Sequence, residues 1–135
     1  MPVIAAGLLA IATNAWAAGV EDIIKGVYLG TEDLCKQAKA DGLKKLLEDG
    51  NMMLSSRGLE GTDYNCEFVQ STKATRSAAW AVTAICQTQG TTFPDLLSVI
   101  ETSPTQLEVA SVLPGDEENP GNSGTYYLCD GVTAP

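Results

Sequence analysis

Residues 64–87 read YNCEFVQSTKATRSAAWAVTAICQ, and this stretch decides the fold class. Apolar side chains alternate with polar or small ones on both sides of a polar loop at 71–77, at Tyr64, Cys66 and Phe68 and again at Trp80, Val82, Ala84 and Cys86. A period of two is typical of strands with one buried and one wet face. The pattern therefore predicts an antiparallel hairpin with Trp80 in the core.

Further strand candidates lie on both sides of this hairpin. Turn-forming clusters at 48–51 and 57–61 bracket a short strand over 52–55. Toward the C-terminus the pattern predicts a polar turn over 88–94, followed by strands over 96–101 and 107–113 with a break between them. An exposed loop over 114–124 and a last strand over 125–129 follow. Short strands at this spacing favour a meander.

A helix is predicted before the first of these strands. Thr31 can cap free amide groups, the acidic pair Glu32 and Asp33 favours the positive end of the helix dipole, and Gly42 supplies a stop. The helix should run from Glu32 to about residue 40, whereas 43–47 fits both a short helix and a strand. The expected fold is α+β or mainly β: a small antiparallel sheet or open barrel with an N-terminal helix packed on it.

The composition excludes several classes of function. The 135 residues include 8 Lys and Arg against 17 Asp and Glu, which gives a net charge of -9. Nucleic-acid binders and proteins that bind anionic membranes need clustered basic residues, so neither partner is expected. The absence of His removes Ser-His and Cys-His catalysis and every zinc site with a His ligand.

The first 17 residues are predicted to be a signal peptide. An uncharged apolar run over 3–12 precedes Ala15-Trp16-Ala17, a small-x-small tripeptide of the kind that signal peptidase cleaves after. The run is too short for a stable membrane anchor, which needs about 20 apolar residues. A buried N-terminal helix is the alternative. We expect a single mature domain, 18–135, in the periplasm or outside the cell.

Four cysteines agree with export. Cys35, Cys66, Cys86 and Cys129 form an even set in a short chain, which predicts two disulfides in an oxidising compartment. No CxxC pair supports a redox site or a zinc ribbon. The preferred pairing is Cys35 with Cys66 and Cys86 with Cys129, and the other two connectivities stay open.

The candidate contact residues lie in the second half of the chain. Residues 77–135 contain seven acidic residues and no basic one, an asymmetry that can steer a cationic partner. Asp116, Glu117 and Glu118 lie in the predicted exposed loop, and Phe93 and Tyr127 are the aromatic candidates. The acidic loop lacks the ligand spacing of an EF-hand, so no metal is expected. We expect no cofactor and no catalytic residue.

The broad profile is similar to that of small periplasmic inhibitors of cationic lysozymes, through an export signal, two disulfides, acid excess and short strands. The similarity covers composition, and no inhibitory motif matches. It implies a non-enzymatic binding module for a cationic protein or peptide. The alternatives are a small carboxylate-dependent hydrolase and a structural envelope protein. A deep pocket with converging Asp or Glu favours the hydrolase, and an acidic face with a protruding loop favours the binder.

Overall fold

The computed structural model describes residues 24–118 and 121–135, so the expected signal peptide lies outside the described residues. Eight antiparallel strands form one closed barrel within them. The elements in chain order are β1 (Tyr28–Leu29), α1 (Glu32–Asp41), α2 (Leu43–Glu48), β2 (Met53–Ser55), β3 (Gly58–Glu60), β4 (Asn65–Lys73), β5 (Ala79–Thr88), β6 (Thr91–Ser103), β7 (Gln106–Ser111) and β8 (Gly124–Leu128). Each strand pairs with the next, which confirms the meander.

The barrel closes through its shortest strand. Tyr28 of β1 lies opposite Leu54 of β2 on one side and Leu128 of β8 on the other. A two-residue strand is too short to show any alternation in the sequence. The pattern therefore predicted an open barrel, although the strands themselves were correctly predicted to be antiparallel.

The central hairpin is confirmed. In the β4–β5 ladder, Cys66 lies opposite Cys86 and Lys73 opposite Trp80, with a bulge between Phe68 and Gln70. Trp80 is buried as predicted, and the Lys73 ammonium lies 5.5 Å from the centre of its ring. This arrangement is a cation–π contact.

Two predicted turns are strands instead. The polar turn expected over 88–94 is confined to 89–90, because β6 begins at Thr91 and Pro94 lies within it opposite Ile85 of β5. The cluster 57–61 contains β3. Gly58 has a φ of 137°, and a Cβ there would lie 1.8 Å from the Cys66 carbonyl oxygen. This glycine therefore allows the close approach of β3 to β4, rather than a turn.

Both helices lie between β1 and β2. The Thr31 side chain accepts a hydrogen bond from the Leu34 amide at 3.1 Å, and Gly42 ends α1 with a φ of 92°. The helix predicted from Glu32 to about residue 40 thus runs to Asp41, and the ambiguous segment 43–47 belongs to α2.

The wall of the barrel separates two hydrophobic cores. The inner core fills the barrel and contains Tyr28, Leu54, Trp80, Val99 and Tyr126 among others. The outer core lies between the helices and the outside of the barrel, where Ala38, Leu43 and Leu46 pack against Leu29 and Met53. Trp80 Nε1 is buried in the inner core and has no hydrogen-bond partner among the described residues.

The disulfides join Cys35 to Cys129 and Cys66 to Cys86, so the preferred connectivity was wrong. Cys35 and Cys129 belong to the outer core, whereas Cys66 and Cys86 belong to the inner core. A bridge from Cys35 to Cys66 would have to pass through the barrel wall. The two disulfides therefore stabilise different layers, one fastening α1 to the chain after β8 and the other joining β4 to β5.

Candidate binding site at one end of the barrel

A pocket of about 530 Å³ opens at one end of the barrel. In a meander barrel, alternate connections lie at the same end, and here the β1–β2 connection with its helices and the β3–β4, β5–β6 and β7–β8 connections share the pocket end. Apolar side chains line one part of the pocket, namely Met52, Phe93, Leu113 and Pro114. Tyr64, Ser111, Asn122 and Asp116 supply the polar groups. An apolar wall with a few placed polar groups is the usual composition of a ligand site.

A buried carboxyl group lies beneath this pocket. Asp95 is 2% exposed because its position in β6 points into the barrel. The Ser111 hydroxyl lies 2.8 and 2.6 Å from its two oxygens, and the Asn122 amide donates to it at 2.7 Å. Burial of a carboxyl group is costly unless hydrogen bonds replace its water. These bonds explain how an acidic residue is held inside the barrel.

Tyr64 extends the same network toward the pocket. Its hydroxyl donates to Asn122 Oδ1 at 2.6 Å and lies 3.0 Å from Cys66 Sγ. Burial raises the pKa of Tyr64 and nearby Asp95 raises it further, although the bond to Asn122 acts in the opposite direction. A tyrosine hydroxyl is protonated at neutral pH, and the raised pKa extends the range of alkaline pH over which this one remains a donor. A continuous chain of hydrogen bonds thus joins Tyr64, Asn122, Asp95 and Ser111.

The structure brings together two of the residues singled out from the sequence. Phe93 and Asp116 line the same pocket, one from the start of β6 and the other from the β7–β8 connection. Glu117 and Glu118 are exposed beside Asp116, whose Oδ1 accepts a hydrogen bond from the Glu118 amide at 3.0 Å. Tyr127 lies away from this group, with its backbone carbonyl close to the Cys35–Cys129 disulfide.

The buried network was missed by the sequence analysis. Asp95 occupies the inward position between Phe93 and Leu97, and an acidic residue on an apolar face is a visible anomaly. The predicted turn over 88–94 hid this alternation. Asn122 carried no comparable signal, because it belongs to a polar loop where its type is ordinary.

Charge is distributed unevenly along the barrel axis. The acidic loop 116–118 and Asp63, which adjoins Tyr64, lie at the pocket end. Lys25, Arg57, Lys73 and Arg76 precede β1 or lie in or beside the connections at the opposite end. The other four basic residues are on the helices, in the β1–β2 connection, which also leaves from the pocket end. Lys36, Lys44 and Lys45 form ion pairs with neighbouring acids there, and five acidic residues in 32–49 outnumber the four lysines. The pocket end is therefore acidic.

A larger depression of about 700 Å³ follows the outside of β3 and β4. Three charged residues line it, of which Arg57 and Glu60 are paired at 2.7 Å and Glu67 is the third. The described residues give it no counterpart to the buried network around Asp95. We therefore take the barrel-end pocket as the candidate site.

Within 24–118 and 121–135, no three His, Cys, Asp or Glu side chains are close enough to hold a metal ion. The helices of this described part are too short and polar to cross a bilayer. No protein-family model matches the chain, and no significant similarity to a curated protein or to a solved structure is found.

Proposed function

We propose that this chain is a non-enzymatic binding module that engages a cationic protein or peptide through the barrel-end pocket and the loop 116–118. One observation carries the proposal: Phe93 and Asp116, from separate elements, line the same open pocket. An apolar wall beside a carboxylate suits Lys and Arg side chains. These side chains pack their methylene stems against apolar surface and keep their charged heads in polar surroundings.

The charge distribution supports the same partner. Asp63, Asp116, Glu117 and Glu118 are exposed at the pocket end, and none of the described residues lining the pocket is Lys or Arg. Clustered charge of one sign steers an oppositely charged protein and sets its orientation. The expected bound orientation places the basic surface of the partner over this end of the barrel.

The two disulfides fit a protein of an oxidising compartment. We further propose that residues 1–17 are removed on export and that the mature protein acts in the periplasm or outside the cell.

A hydrolase that uses two carboxyl groups has less support. Such a mechanism needs both groups to face the substrate at a fixed separation. Asp116 is the one acidic residue among the described residues that line the pocket. Asp95 lies beneath it and is already engaged by Ser111 and Asn122. This arrangement favours binding over catalysis.

The proposal is tested by titrating the mature protein with a cationic lysozyme at low and high salt, and measuring binding and residual lysozyme activity. Binding should weaken as salt rises, because screening shortens the range of charge attraction to about 8 Å at physiological ionic strength. The variant Asp116→Asn, Glu117→Gln, Glu118→Gln should bind at least about tenfold more weakly.

A matched control removes three negative charges elsewhere, through Asp41→Asn, Glu101→Gln and Asp130→Asn. The control has the same net charge as the test variant but retains the loop, so its affinity should stay closer to that of the wild type. Absence of binding at low salt, or an equal loss of affinity in both variants, would contradict the proposed site. Either result would favour the role of a structural envelope protein.

A further inference from the structure

The hydrogen bonds of the buried network beneath the pocket run in one direction. The Tyr64 hydroxyl donates to Asn122 Oδ1 at 2.6 Å, and Asn122 Nδ2 donates to Asp95 Oδ2 at 2.7 Å. The other contact of Asn122 Nδ2, at 3.5 Å, is Cys86 Sγ of the inner core. The Ser111 hydroxyl also donates to Asp95, at 2.6 Å. The donors of these side chains therefore point inward, toward a carboxylate that accepts.

This direction leaves acceptors for a ligand that enters the pocket. The single hydrogen of the Tyr64 hydroxyl is taken by Asn122, so the hydroxyl oxygen offers its lone pairs. The hydrogen of the Ser111 hydroxyl is likewise taken by Asp95. At the rim, Asp116 adds a carboxylate, which has no donor at neutral pH. A ligand that meets these groups has to supply the hydrogens itself.

No cation of the chain neutralises Asp95. All eight Lys and Arg residues lie within 25–76, and the ion pairs among the described residues join none of them to Asp95. Its negative charge reaches the pocket, because it contributes to the raised pKa of Tyr64, whose side chain lines the pocket. A buried carboxylate that has only neutral partners is costly, and a cation close by offsets part of that cost. A positively charged ligand in the pocket would supply this cation.

The apolar part of the pocket suits the stem of the same ligand. Met52, Phe93, Leu113 and Pro114 line it, and its volume of about 530 Å³ is typical of a site for a small group. A Lys side chain has four methylene groups that pack on apolar surface, and a compact charged head with three donors and no acceptor. Both parts of the pocket thus match one side chain.

The arrangement of acceptors favours an ammonium group over a guanidinium group. A guanidinium binds best to the two oxygens of one carboxylate, in a planar pair. Both oxygens of Asp95 are already engaged, and Oδ1 of Asp116 accepts the Glu118 amide. The Tyr64 hydroxyl oxygen is a single acceptor on a separate side chain. A compact head with three rotatable donors can bond to such separate acceptors one at a time.

We propose that the barrel-end pocket receives one Lys side chain of the cationic partner, and that Asp95 selects its positive charge from beneath. This inference rests on the proposed function, because both use the same pocket. The ammonium bonds to the Tyr64 hydroxyl oxygen and lies between the carboxylates of Asp116 and Asp95. Asp95 acts through Asn122 and through its charge without touching the ligand, so its part is to determine specificity.

An NMR titration of isotope-labelled mature protein with three capped amino acids tests this inference. The probes are the Nα-acetyl N-methylamides of lysine, norleucine and arginine, of which the norleucine probe has the same four-carbon stem without the charge. The lysine probe should shift the amide signals of Asn122 and bind at least about tenfold more tightly than the norleucine probe. The arginine probe should bind at least about threefold more weakly than the lysine probe.

A pair of variants assigns the selection to Asp95. Asp95→Asn should reduce the preference for lysine over norleucine to within about twofold, because the buried charge is gone. The matched control is Asp130→Asn, which removes the same charge from an exposed position after β8 and should keep the preference. Circular dichroism shows whether both variants fold, and the comparison of the three probes on the wild type depends on neither variant.

This inference and the proposed function can fail separately. Equal binding of the lysine and norleucine probes, tighter binding of the arginine probe, or no shift at Asn122 would overturn the inference, even where lysozyme binds. A preference for lysine that persists in folded Asp95→Asn would overturn it as well. Binding of the lysine probe without binding of lysozyme would support the Lys pocket and contradict the proposed function.

Discussion

Asp95 is the residue whose environment most needs explanation. It is 2% exposed, and its hydrogen-bond partners among the described residues are the neutral side chains of Ser111 and Asn122, which both donate to it. A buried carboxyl group lowers the stability of the fold unless its oxygens accept hydrogen bonds and the donors around it are satisfied as well. Asp95 lies beneath the open pocket, so the hydrogen bonds that allow its burial also hold Ser111 and Asn122, two polar residues of the candidate site.

Two substitutions at Asp95 separate its structural contribution from its charge. Asp95→Ala leaves the Ser111 hydroxyl and the Asn122 amide without an acceptor and should lower the free energy of unfolding by about 2 to 4 kcal/mol. Asp95→Asn keeps an acceptor of the same shape and should cost less, while weakening the binding of a cationic partner. Urea denaturation and the lysozyme titration measure the two effects, and equal destabilisation by both variants would contradict this division.

Tyr126 gives the molecule a defined sensitivity to alkaline pH. Burial in the inner core raises its pKa from 10.0 to about 12, with a smaller contribution from Tyr64. The unfolded chain loses this proton at lower pH than the folded chain. The resulting stabilisation, about 2.7 kcal/mol for this difference in pKa, is fully present below pH 10 and is lost as the pH rises toward 12.

The prediction is that the free energy of unfolding falls steeply from pH 10 upward and that Tyr126→Phe reduces this slope. Urea unfolding at a series of alkaline pH values measures both quantities. Tyr28 and Tyr64, whose pKa values are also raised, should supply the part of the slope that remains in the variant. A slope that the substitution leaves unchanged would contradict the assignment to Tyr126.

At the scale of elements, the helix α1 depends on its connection to the barrel. The Cys35–Cys129 bridge closes a loop with a sequence separation of 94 residues. On the chain-entropy model, a loop of this length contributes about 4.7 kcal/mol, compared with about 3.3 kcal/mol for the separation of 20 between Cys66 and Cys86. The outer bridge should therefore be the larger entropic contributor.

Replacing both Cys35 and Cys129 by Ala should lower the free energy of unfolding by about 3 to 5 kcal/mol. Hydrogen exchange should increase first in α1, because the β4–β5 pairing retains its own bridge. Peptide mapping of the oxidised wild type should recover a peptide linking Cys35 to Cys129. Recovery of a Cys35–Cys66 peptide would contradict the two-layer arrangement.

The elements that could be predicted are those with their own local signal. The cap at Thr31 and the alternation around Cys66 and Cys86 identified α1 and the central hairpin correctly. The strand β1 and the strand β3 were not predicted, because two or three residues carry no period and depend on their neighbours for pairing. The disulfide pairing was predicted wrongly because the hydrophobic core to which each cysteine belongs depends on closure of the barrel, although the predicted hairpin already placed Cys66 near Cys86.

For the whole molecule, closure of the barrel determines where distant residues meet. Phe93 and Asp116 were both singled out from the sequence, but their shared pocket follows from the meander, which places the start of β6 near the β7–β8 connection. The acid excess was evident from composition. Its concentration at one end of the barrel, with four basic residues toward the other, could not be predicted without the strand order.

The central claim is that the pocket end of the barrel is the binding surface, and backbone-amide NMR tests it most directly. Isotope-labelled mature protein is titrated with an unlabelled cationic lysozyme at low salt, and the shifted amides are mapped onto the fold. We expect the largest shifts in 112–118 and around Tyr64 and Phe93, and we expect them to diminish at high salt. Shifts confined to the helices or to the outward side chains of β5 and β6, or no shifts at low salt, would contradict a binding surface at the pocket end.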